Sequence, residues 1–316
     1  MNEANVRKYL EVIKRATQFI EQELSSCGTP EALMQIMNEP QTKVQPLIQN
    51  KPDESAILAR KKHVTDLLAI DCWPQAIEQY LVATNDKENQ INRANAVLDM
   101  MLERSIDKLN FLDFGCGDGW IARQALSRGA SSSTGYDIKQ SPNWANIEKV
   151  EFTTKFENLK PNHYDVIMLY DVLDHCIDPV GLMQQVKGLL RLGKSTICIR
   201  CHPWTSRHAS HVYKQGLNKA YIHLFLTWDE IEELLEDNQE PMFTRNEKNP
   251  LEAYRWWMHE FKIIKERIIK DEPLSKFFLV PSFKELIIQE QELKPEQVEE
   301  FFKMMEVQFV DYVLEK

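Results

Sequence analysis

The segment from Asp113 to Gly119, which reads Asp-Phe-Gly-Cys-Gly-Asp-Gly, holds the residues best suited to bind a ligand. Glycines at 115, 117 and 119 allow a tight turn and bring the backbone close to a ligand at a helix N-terminus. The spacing is G-x-G-x-G, so the third glycine of a dinucleotide fingerprint and the Gly-Lys-Ser/Thr of a P-loop are both missing. The Asp113 carboxylate, at a predicted strand end facing the same crevice, disfavours a pyrophosphate. The segment therefore predicts a site for a cationic ligand.

A second carboxylate follows at Asp137, eighteen residues after Gly119 and at the end of the next predicted strand. In sheets of parallel strands, an acid at this position accepts hydrogen bonds from the hydroxyls of a ribose. Asp137 therefore predicts that the ligand contains a nucleoside.

Histidines are concentrated in a third segment, because four of the eight in the chain lie between 202 and 223. The segment follows the fifth predicted strand, so its side chains can converge with Asp171 and His175 in a substrate pocket. A neutral imidazole is a competent base near pH 7. The candidates for removing a proton are Asp171, His175, His202, His208 and His211. The candidates for contacting the substrate are Trp204, Arg207 and Tyr221.

Other interpretations of the same segment remain open. Cys198, Cys201 and the nearby histidines have donor types suited to zinc. Residues three apart on a strand point to opposite faces, however, which leaves only a site made of histidines. The string from Cys198 to His202 also matches the C-x-x-C-H of haem attachment, but its place inside a predicted buried strand indicates a chance match. The loop could also simply pack, and we expect no resident metal.

Alternating strands and helices from Leu109 onward must position these residues. Apolar runs predict five strands, at 110–114, 133–138, 149–153, 164–169 and 195–201. Helices are predicted at 120–127 and from 178 to 192. This alternation predicts an α/β fold with a doubly wound, Rossmann-like sheet, whose ligand site lies beyond the carboxyl ends of the strands.

With these motifs in order, the chain resembles the class I S-adenosylmethionine-dependent methyltransferases. The resemblance covers residues 90 to 240 and rests on three segments, FLDFGCGDGW, TGYDI and YDVIMLYDVLDHCIDP. They match the glycine-rich first motif, the ribose-binding acid and the fourth-strand segment of that family. The resemblance implies S-adenosylmethionine as the cofactor and a seven-stranded sheet. The last two strands are then expected at 261–269 and 307–314, with a helical insertion between them.

The resemblance also implies a role for each matching residue. It assigns to cofactor binding Asp113, Gly115, Cys116, Gly117, Asp118, Gly119, Asp137, Ile138, Phe156, Leu169, Tyr170 and Asp171. Of these, Asp137 holds the ribose, Ile138 packs against the adenine and Phe156 supplies an aromatic wall. The three residues at the end of the fourth strand lie over the sulfonium. Asn92 or Arg93, on the helix before the first strand, is the candidate for the methionine carboxylate.

Missing motifs narrow the choice of acceptor. The Asn/Asp-Pro-Pro-Tyr/Phe motif of DNA amine methylation would follow the fourth strand, where the chain reads Tyr170-Asp171-Val172-Leu173. A cytosine C5 enzyme needs a Pro-Cys dipeptide, which the sequence lacks, and neither Lys187 nor Lys194 is placed for ribose 2′-O-methylation. We predict methyl transfer to an oxygen or nitrogen of a small molecule. RNA or protein methylation and a non-catalytic scaffold are the alternatives.

Composition bounds the rest of the chain. A formal net charge of −10 and a pI near 5.4 lower the expectation of a nucleic-acid partner. Six scattered cysteines, without an export signal or an apolar membrane span, predict free thiols, a cytoplasmic location and no membrane partner. Residues 1–90 are predicted to be a helical N-terminal region that can mediate homo-oligomerisation. Residues 91–316 are predicted to be the methyltransferase domain, with its helical insertion around 270–306.

Overall fold

The structure, a computed structural model, describes residues 54–70, 73–77, 86–235, 251–271 and 281–316. The chain divides into two compact units, Met1–Ala69 and Ile70–Lys316. In the first unit, helix α1 spans Glu54–Leu68. The helices predicted before it, and the oligomerisation predicted for them, lie outside the described residues.

The second unit is built on one seven-stranded sheet, which confirms the predicted Rossmann-like α/β fold. Its strands are β1 (Asn110–Phe114), β2 (Ser132–Tyr136), β3 (Glu151–Thr153), β4 (Val166–Tyr170), β5 (Thr196–Cys201), β6 (Lys262–Lys270) and β7 (Val307–Glu315). The strand order is β3-β2-β1-β4-β5-β7-β6. Strands β1 to β5 are mutually parallel, and β7 runs antiparallel to both of its neighbours.

Helices flank the sheet in the order expected of a doubly wound fold. They are α2 (Lys87–Met101), α3 (Trp120–Ser127), α4 (Pro179–Leu189), α5 (Trp228–Leu234), α6 (Leu251–Trp257), α7 (Pro281–Glu290) and α8 (Pro295–Met305). The predicted domain boundary at residues 90 and 91 falls within α2, and that division stays a prediction. Within the described part of the chain, every helix is too short or too polar to cross a bilayer.

Both faces of the central strands are buried, which explains why they read as continuous apolar runs. In β4, Val166 and Met168 enter one core layer, and Ile167 enters the other, as the period-two alternation of a strand requires. Cys198 and Cys201 also lie in different layers. The prediction that they point to opposite faces is therefore confirmed.

The start of β3 differs from the sequence prediction for a local reason. The strand was expected from residue 149 but begins at Glu151. Lys149 has a φ of 65°, in the left-handed region, which interrupts an extended conformation. A backbone turn of this kind leaves no signal in the apolar pattern.

The C-terminal strands are an integral part of the sheet. Helices α7 and α8 lie between β6 and β7, so the predicted helical insertion is confirmed. On β5, Arg200 donates from Nε and Nη2 to the two carboxylate oxygens of Asp311 on β7, at 2.6 and 2.7 Å. Arg267 on β6 approaches the same carboxylate at 3.2 Å. Three strands are thereby joined at one buried charge cluster.

Candidate active site

A cavity of about 820 Å³ lies at the carboxyl ends of β1, β2 and β4. The strand order reverses between β1 and β4, and such a switch point is where open α/β sheets bind ligands. Side chains from α2 and from the start of α3 complete the wall. The cavity occupies the edge of the sheet at which the sequence predicted a ligand site.

The glycine-rich loop between β1 and α3 forms one wall of the cavity. Gly115, Gly117 and Gly119 have φ values of 78°, 49° and 81°, a region that favours glycine. A Cβ at Gly115 would collide with Val172, and a Cβ at Gly119 would lie 2.5 Å from the Phe152 ring. At Gly117 no atom of the described residues lies within 4 Å of that position. The loop therefore packs tightly at both ends and leaves its centre open.

Side chains from the segment after β2 hold this loop in place. The indole Nε1 of Trp144 donates to the Gly117 carbonyl at 2.8 Å, and the ring stacks on Phe152 with centroids 4.9 Å apart. Ser141 donates to the Asp118 carboxylate at 2.6 Å. The loop is thus braced by the protein itself before any ligand binds.

Asp137 and Ile138 lie on the cavity wall just beyond β2. Asp137 accepts hydrogen bonds from the backbone N–H of Gly117 at 2.8 Å and of Lys139 at 3.1 Å. Each carboxylate oxygen offers two lone pairs, so both can accept a further hydrogen bond. The Ile138 side chain is 87% exposed and provides apolar surface at the rim.

Asp113 does not line the cavity, contrary to its expected orientation, and its predicted contact with the cofactor stays a prediction. Its side chain is 1% exposed and accepts a hydrogen bond from the backbone N–H of Ala122 at 3.2 Å, in the first turn of α3. Burial raises its pKa to about 7. The carboxyl group therefore anchors the helix behind the glycine-rich loop.

Three of the predicted proton acceptors, Asp171, His175 and His211, line the other end of the cavity. Asp171 and His211 have φ values of 56° and 57°. Positive φ in residues other than glycine is uncommon and is concentrated at functional sites. The rings of His175 and His211 lie with centroids 4.8 Å apart. The fold thus gathers titratable groups from the loops after β4 and β5.

His202 and His208 are buried behind this wall and do not line the cavity. The His202 Nε2 lies 3.1 Å from the Asp171 Oδ1. Burial alone would raise the pKa of Asp171, but the charge and hydrogen bond of His202 outweigh it and lower that pKa. The same contacts raise the pKa of His202 against the effect of burial. Burial and the neighbouring His202 hold the pKa of His208 well below its usual range.

Asp174 is a buried acid that the sequence analysis did not single out. Its side chain is 0% exposed, and neither carboxylate oxygen has a hydrogen-bond partner among the described residues. The His175 Nε2 lies 3.8 Å from its Oδ2. Burial raises the pKa of Asp174, and the nearby His175 opposes that rise.

Comparison with known protein families decides what kind of site this is. Residues 86–261, more than half of the chain, match the model of a family described as a methyltransferase domain. The chain belongs to this methyltransferase family. It is a class I S-adenosylmethionine-dependent methyltransferase, as the three sequence motifs predicted.

Individual relatives are similar to the methyltransferase over part of its length. A ubiquinone biosynthesis O-methyltransferase of Yersinia pestis is 29% identical in an alignment 117 residues long that covers 33% of this chain. The chain spans about half, 48%, of the length of that curated relative. A SAM dependent methyltransferase structure from Archaeoglobus fulgidus has 14% identity and a TM-score of 0.46, covering 76% of this chain and 100% of that one. A phosphoethanolamine N-methyltransferase 2 of Haemonchus contortus has 16% identity and a TM-score of 0.43, covering 71% and 52%.

The cavity of the methyltransferase fits its cofactor, S-adenosylmethionine. The indole Nε1 of Trp120 is buried without a hydrogen-bond partner among the described residues, and the side chain lines the cavity as an unused donor. Arg93 of α2 lines the same cavity and supplies a cation. Phe156 packs against Phe114 and Tyr136 and contributes aromatic surface. S-adenosylmethionine is an amino acid joined to a nucleoside. Its carboxylate requires donors, its ribose an acid and its adenine an apolar surface.

The three residues predicted to contact the acceptor lie outside the cavity lining. The backbone carbonyl of Trp204 lies 2.7 Å from the His223 Nε2. Tyr221 donates to a backbone carbonyl at the end of α8 at 3.0 Å, and Arg207 forms an ion pair with Asp271 at 3.0 Å. The contacts of Tyr221 and Arg207 tie the loop after β5 to the end of α8 and to the residue that follows β6. Direct contact with the acceptor stays a prediction that this geometry does not support.

Ten of the twelve residues assigned to the cofactor by resemblance line the cavity. They are Gly115, Cys116, Gly117, Asp118, Gly119, Asp137, Ile138, Phe156, Tyr170 and Asp171. Leu169, like Asp113, does not, because its position on β4 points it into a core layer. Burial raises the pKa of the Cys116 thiol, so this cysteine stays protonated at neutral pH.

Sequence reasoning missed several residues of the wall. They are Asn89 and Gln90 on α2, Trp120 on α3 and Gln185 on α4. Helix α2 precedes the first motif, and no recognisable pattern marked Asn89 or Gln90. Trp120 did offer one, because it occupies the position of the third glycine in a dinucleotide fingerprint.

Proposed function

We propose that the chain transfers the methyl group of S-adenosylmethionine to an oxygen or nitrogen atom of a small-molecule acceptor. One observation carries this proposal, namely the continuous cavity that joins the glycine-rich loop to Asp171, His175 and His211. Pockets for small ligands are typically about 300–1,000 Å³, and this cavity is about 820 Å³. That volume suits the cofactor together with a small acceptor.

Different residues of the cavity bind different parts of the cofactor. Asp137 supports the ribose, Ile138 and Phe156 supply apolar surface for the adenine, and Trp120 and Arg93 donate to the methionine carboxylate. When bound, the cofactor supplies a methyl group already activated by the sulfonium. The protein therefore contributes mainly by holding the acceptor in line and by excluding water.

We assign deprotonation of the acceptor to residues at the other end of the cavity. Asp171 is ionised and held in place by His202, so it can accept a hydrogen bond from an acceptor O–H or N–H. His175 and His211 lie on the same wall. Proton removal in the transition state typically contributes about 10²–10⁴ in rate, which is the share we assign to this group of side chains.

Calorimetric titration with S-adenosylmethionine and with its demethylated product tests the cofactor part of the proposal. We expect a micromolar Kd, about −8 kcal/mol. Asp137→Ala should weaken binding at least tenfold, because the ribose hydroxyls lose their charged acceptor. Asp99→Ala is the matched control, since its carboxylate is 70% exposed on α2 and does not line the cavity.

A folded wild-type chain that binds neither ligand would contradict the proposal and favour a non-catalytic scaffold. Once binding is established, detection of the demethylated product in the presence of small molecules, RNA or protein tests the acceptor class. Turnover with RNA or protein alone would overturn the small-molecule assignment.

A further inference from the structure

We infer that Asp174, His175 and His211 form a binding site for a divalent transition-metal ion of the Zn²⁺ type. One donor atom from each residue can be chosen so that all three lie within 4.8 Å of one another. Asp174 and His175 belong to the 3-10 turn Leu173–His175 that follows β4. His211 comes from the loop after β5, so the topology brings together donors that are distant in sequence.

The environment of Asp174 is an independent indication of a missing partner. Its carboxylate is fully buried, and neither oxygen accepts a hydrogen bond from the described residues. Burying an acidic group without partners costs several kcal/mol in a typical protein interior. The described lysines and arginines form no ion pair with it, and the His175 Nε2 lies 3.8 Å from its Oδ2. A divalent ion bound beside His175 would satisfy this carboxylate.

The donor set indicates which kind of ion fits. Two imidazole nitrogens and one carboxylate oxygen form the set of many zinc and non-haem iron sites that keep positions open for substrate. Mg²⁺ and Ca²⁺ prefer oxygen donors and fit less well. Zinc holds such ligands at about 2.0–2.2 Å, so neighbouring donors in a tetrahedral site stand roughly 3.4 Å apart. The 3.8 Å between Asp174 Oδ2 and His175 Nε2 is close to that separation.

The position of the ion would give the cavity a Lewis acid at its acceptor end. His175 and His211 line the cavity, whereas Asp174 lies behind them, so open coordination positions would face the acceptor. In this arrangement the two histidines act as metal ligands and not as bases. A metal lowers the pKa of a bound hydroxyl and leaves its oxygen with free lone pairs, whereas a bound amine has used its lone pair. The ion therefore favours O-methylation.

The preference for O-methylation rests on the proposed function, and the reaction needs no reactant other than the cofactor and the acceptor. The acceptor hydroxyl gives up its proton to the Asp171 carboxylate, which lines the same end of the cavity. Its oxygen forms the new bond to the methyl carbon while the carbon–sulfur bond of the cofactor breaks. The sulfonium charge is neutralised as the demethylated product forms.

Metal binding can be tested with the ion alone, without cofactor or acceptor. The full chain is stripped with a chelator and then titrated with Zn²⁺ by calorimetry and with Co²⁺ by visible absorption. We expect one ion per chain and Co²⁺ ligand-field bands. Asp174→Asn and His211→Ala should each weaken binding at least tenfold. His259→Ala, which removes an exposed imidazole that does not line the cavity, should leave the affinity unchanged.

Thermal unfolding provides a second readout that separates ligation from folding. Zn²⁺ should raise the unfolding midpoint of the wild type and not that of Asp174→Asn, because only the wild-type folded state binds the ion. Without metal, Asp174→Asn should be at least as stable as the wild type, since it no longer buries an unpartnered acid.

Two results would overturn the inference. The first is a folded wild-type chain that binds neither Zn²⁺ nor Co²⁺, and the second is unchanged affinity in both Asp174→Asn and His211→Ala. Because cofactor binding is measured separately, failure of the metal site leaves the proposed methyl transfer standing. Failure of S-adenosylmethionine to bind would leave the metal titration unaffected.

Discussion

Asp113 and Asp137 stand near the carboxyl ends of neighbouring strands and have different surroundings. Asp137 lines the cavity and accepts two backbone hydrogen bonds, whereas Asp113 is buried and supports α3. Their difference comes from the direction of the side chain relative to the sheet, which depends on the last residues of each strand.

We predict that Asp113→Asn changes how stability depends on pH. Burial raises the pKa of Asp113 from 3.8 to about 7, so between these values the folded state keeps a proton that the unfolded state has lost. The free energy of unfolding of the wild type therefore falls as pH rises through this window. The asparagine does not titrate, so the free energy of unfolding of the variant does not fall in this way. The difference in free energy of unfolding, variant minus wild type, should therefore rise by up to about 1.4 kcal/mol per pH unit.

Denaturant unfolding at pH 5 and pH 7.5 measures this difference. Asp99→Asn serves as the control, because its exposed carboxylate should give a difference that stays nearly constant between the two pH values. A constant difference for Asp113→Asn as well would show that the Asp113 carboxyl is ionised throughout.

At the scale of elements, the turn from β1 into α3 depends on glycines for two separate reasons. All three glycines of the loop have positive φ, but only the outer two also pack against neighbouring side chains. Gly117 needs its conformation, and Gly119 needs in addition the space that the Phe152 ring leaves. The two requirements can be separated by experiment.

We predict that Gly119→Ala destabilises the fold more than Gly117→Ala. Each substitution places a side chain at positive φ, which costs about 1–2 kcal/mol. Gly119→Ala additionally drives a methyl group against Phe152, and overpacking of this kind costs about 1–3 kcal/mol more. Gly117→Ala should instead act mainly on the Kd for S-adenosylmethionine, because its Cβ enters open cavity space. Unfolding curves and calorimetry of both variants compare the two effects.

Gly188→Ala is a useful control for this comparison. It lies in α4 without positive φ, and in the described part of the chain no atom is within 4 Å of its added Cβ. We expect it to stabilise the helix by about 0.5–1 kcal/mol. Equal losses for Gly117→Ala and Gly119→Ala would contradict the contact with Phe152.

Apolar runs and turn residues were enough to predict the helices and strands. They were not enough to predict which side chains meet in the site. Helix α3 matches its predicted bounds of 120–127, and β7 begins at its predicted residue, 307, because local pattern determines both. The acceptor end was harder, because Asp174 and His211 meet only after β4 and β5 are placed side by side. Trp204 and Tyr221 were misleading because aromatic residues near a site are also what a loop needs to pack.

For the molecule as a whole, the C-terminal strands and the central sheet form one structure. The carboxylate of Asp311 is 1% exposed and is shared by Arg200 of β5 and Arg267 of β6. Arg200 and Asp311 are 111 residues apart in the sequence. The charge cluster therefore couples the last strand to the strand that leads into the acceptor end of the cavity.

We predict that Asp311→Ala lowers the free energy of unfolding by about 3–5 kcal/mol, because it leaves Arg200 buried without its partner. Glu315→Gln is the matched control on the same strand. Its partner, Lys262, is 75% exposed, so the loss should stay below about 1 kcal/mol. Denaturant unfolding followed by circular dichroism measures both. Similar small losses in the two variants would show that β7 is not coupled to the central strands.

The brace on the glycine-rich loop has a spectroscopic consequence. Trp144 donates its indole N–H to the Gly117 carbonyl, and its ring stacks on Phe152. Any ligand that settles on the loop alters the field of that peptide and so the emission of the indole. The methyltransferase thus carries an intrinsic fluorophore at its cofactor loop, and comparison with Trp144→Phe isolates its signal. Association and release of the cofactor become observable in real time without a label.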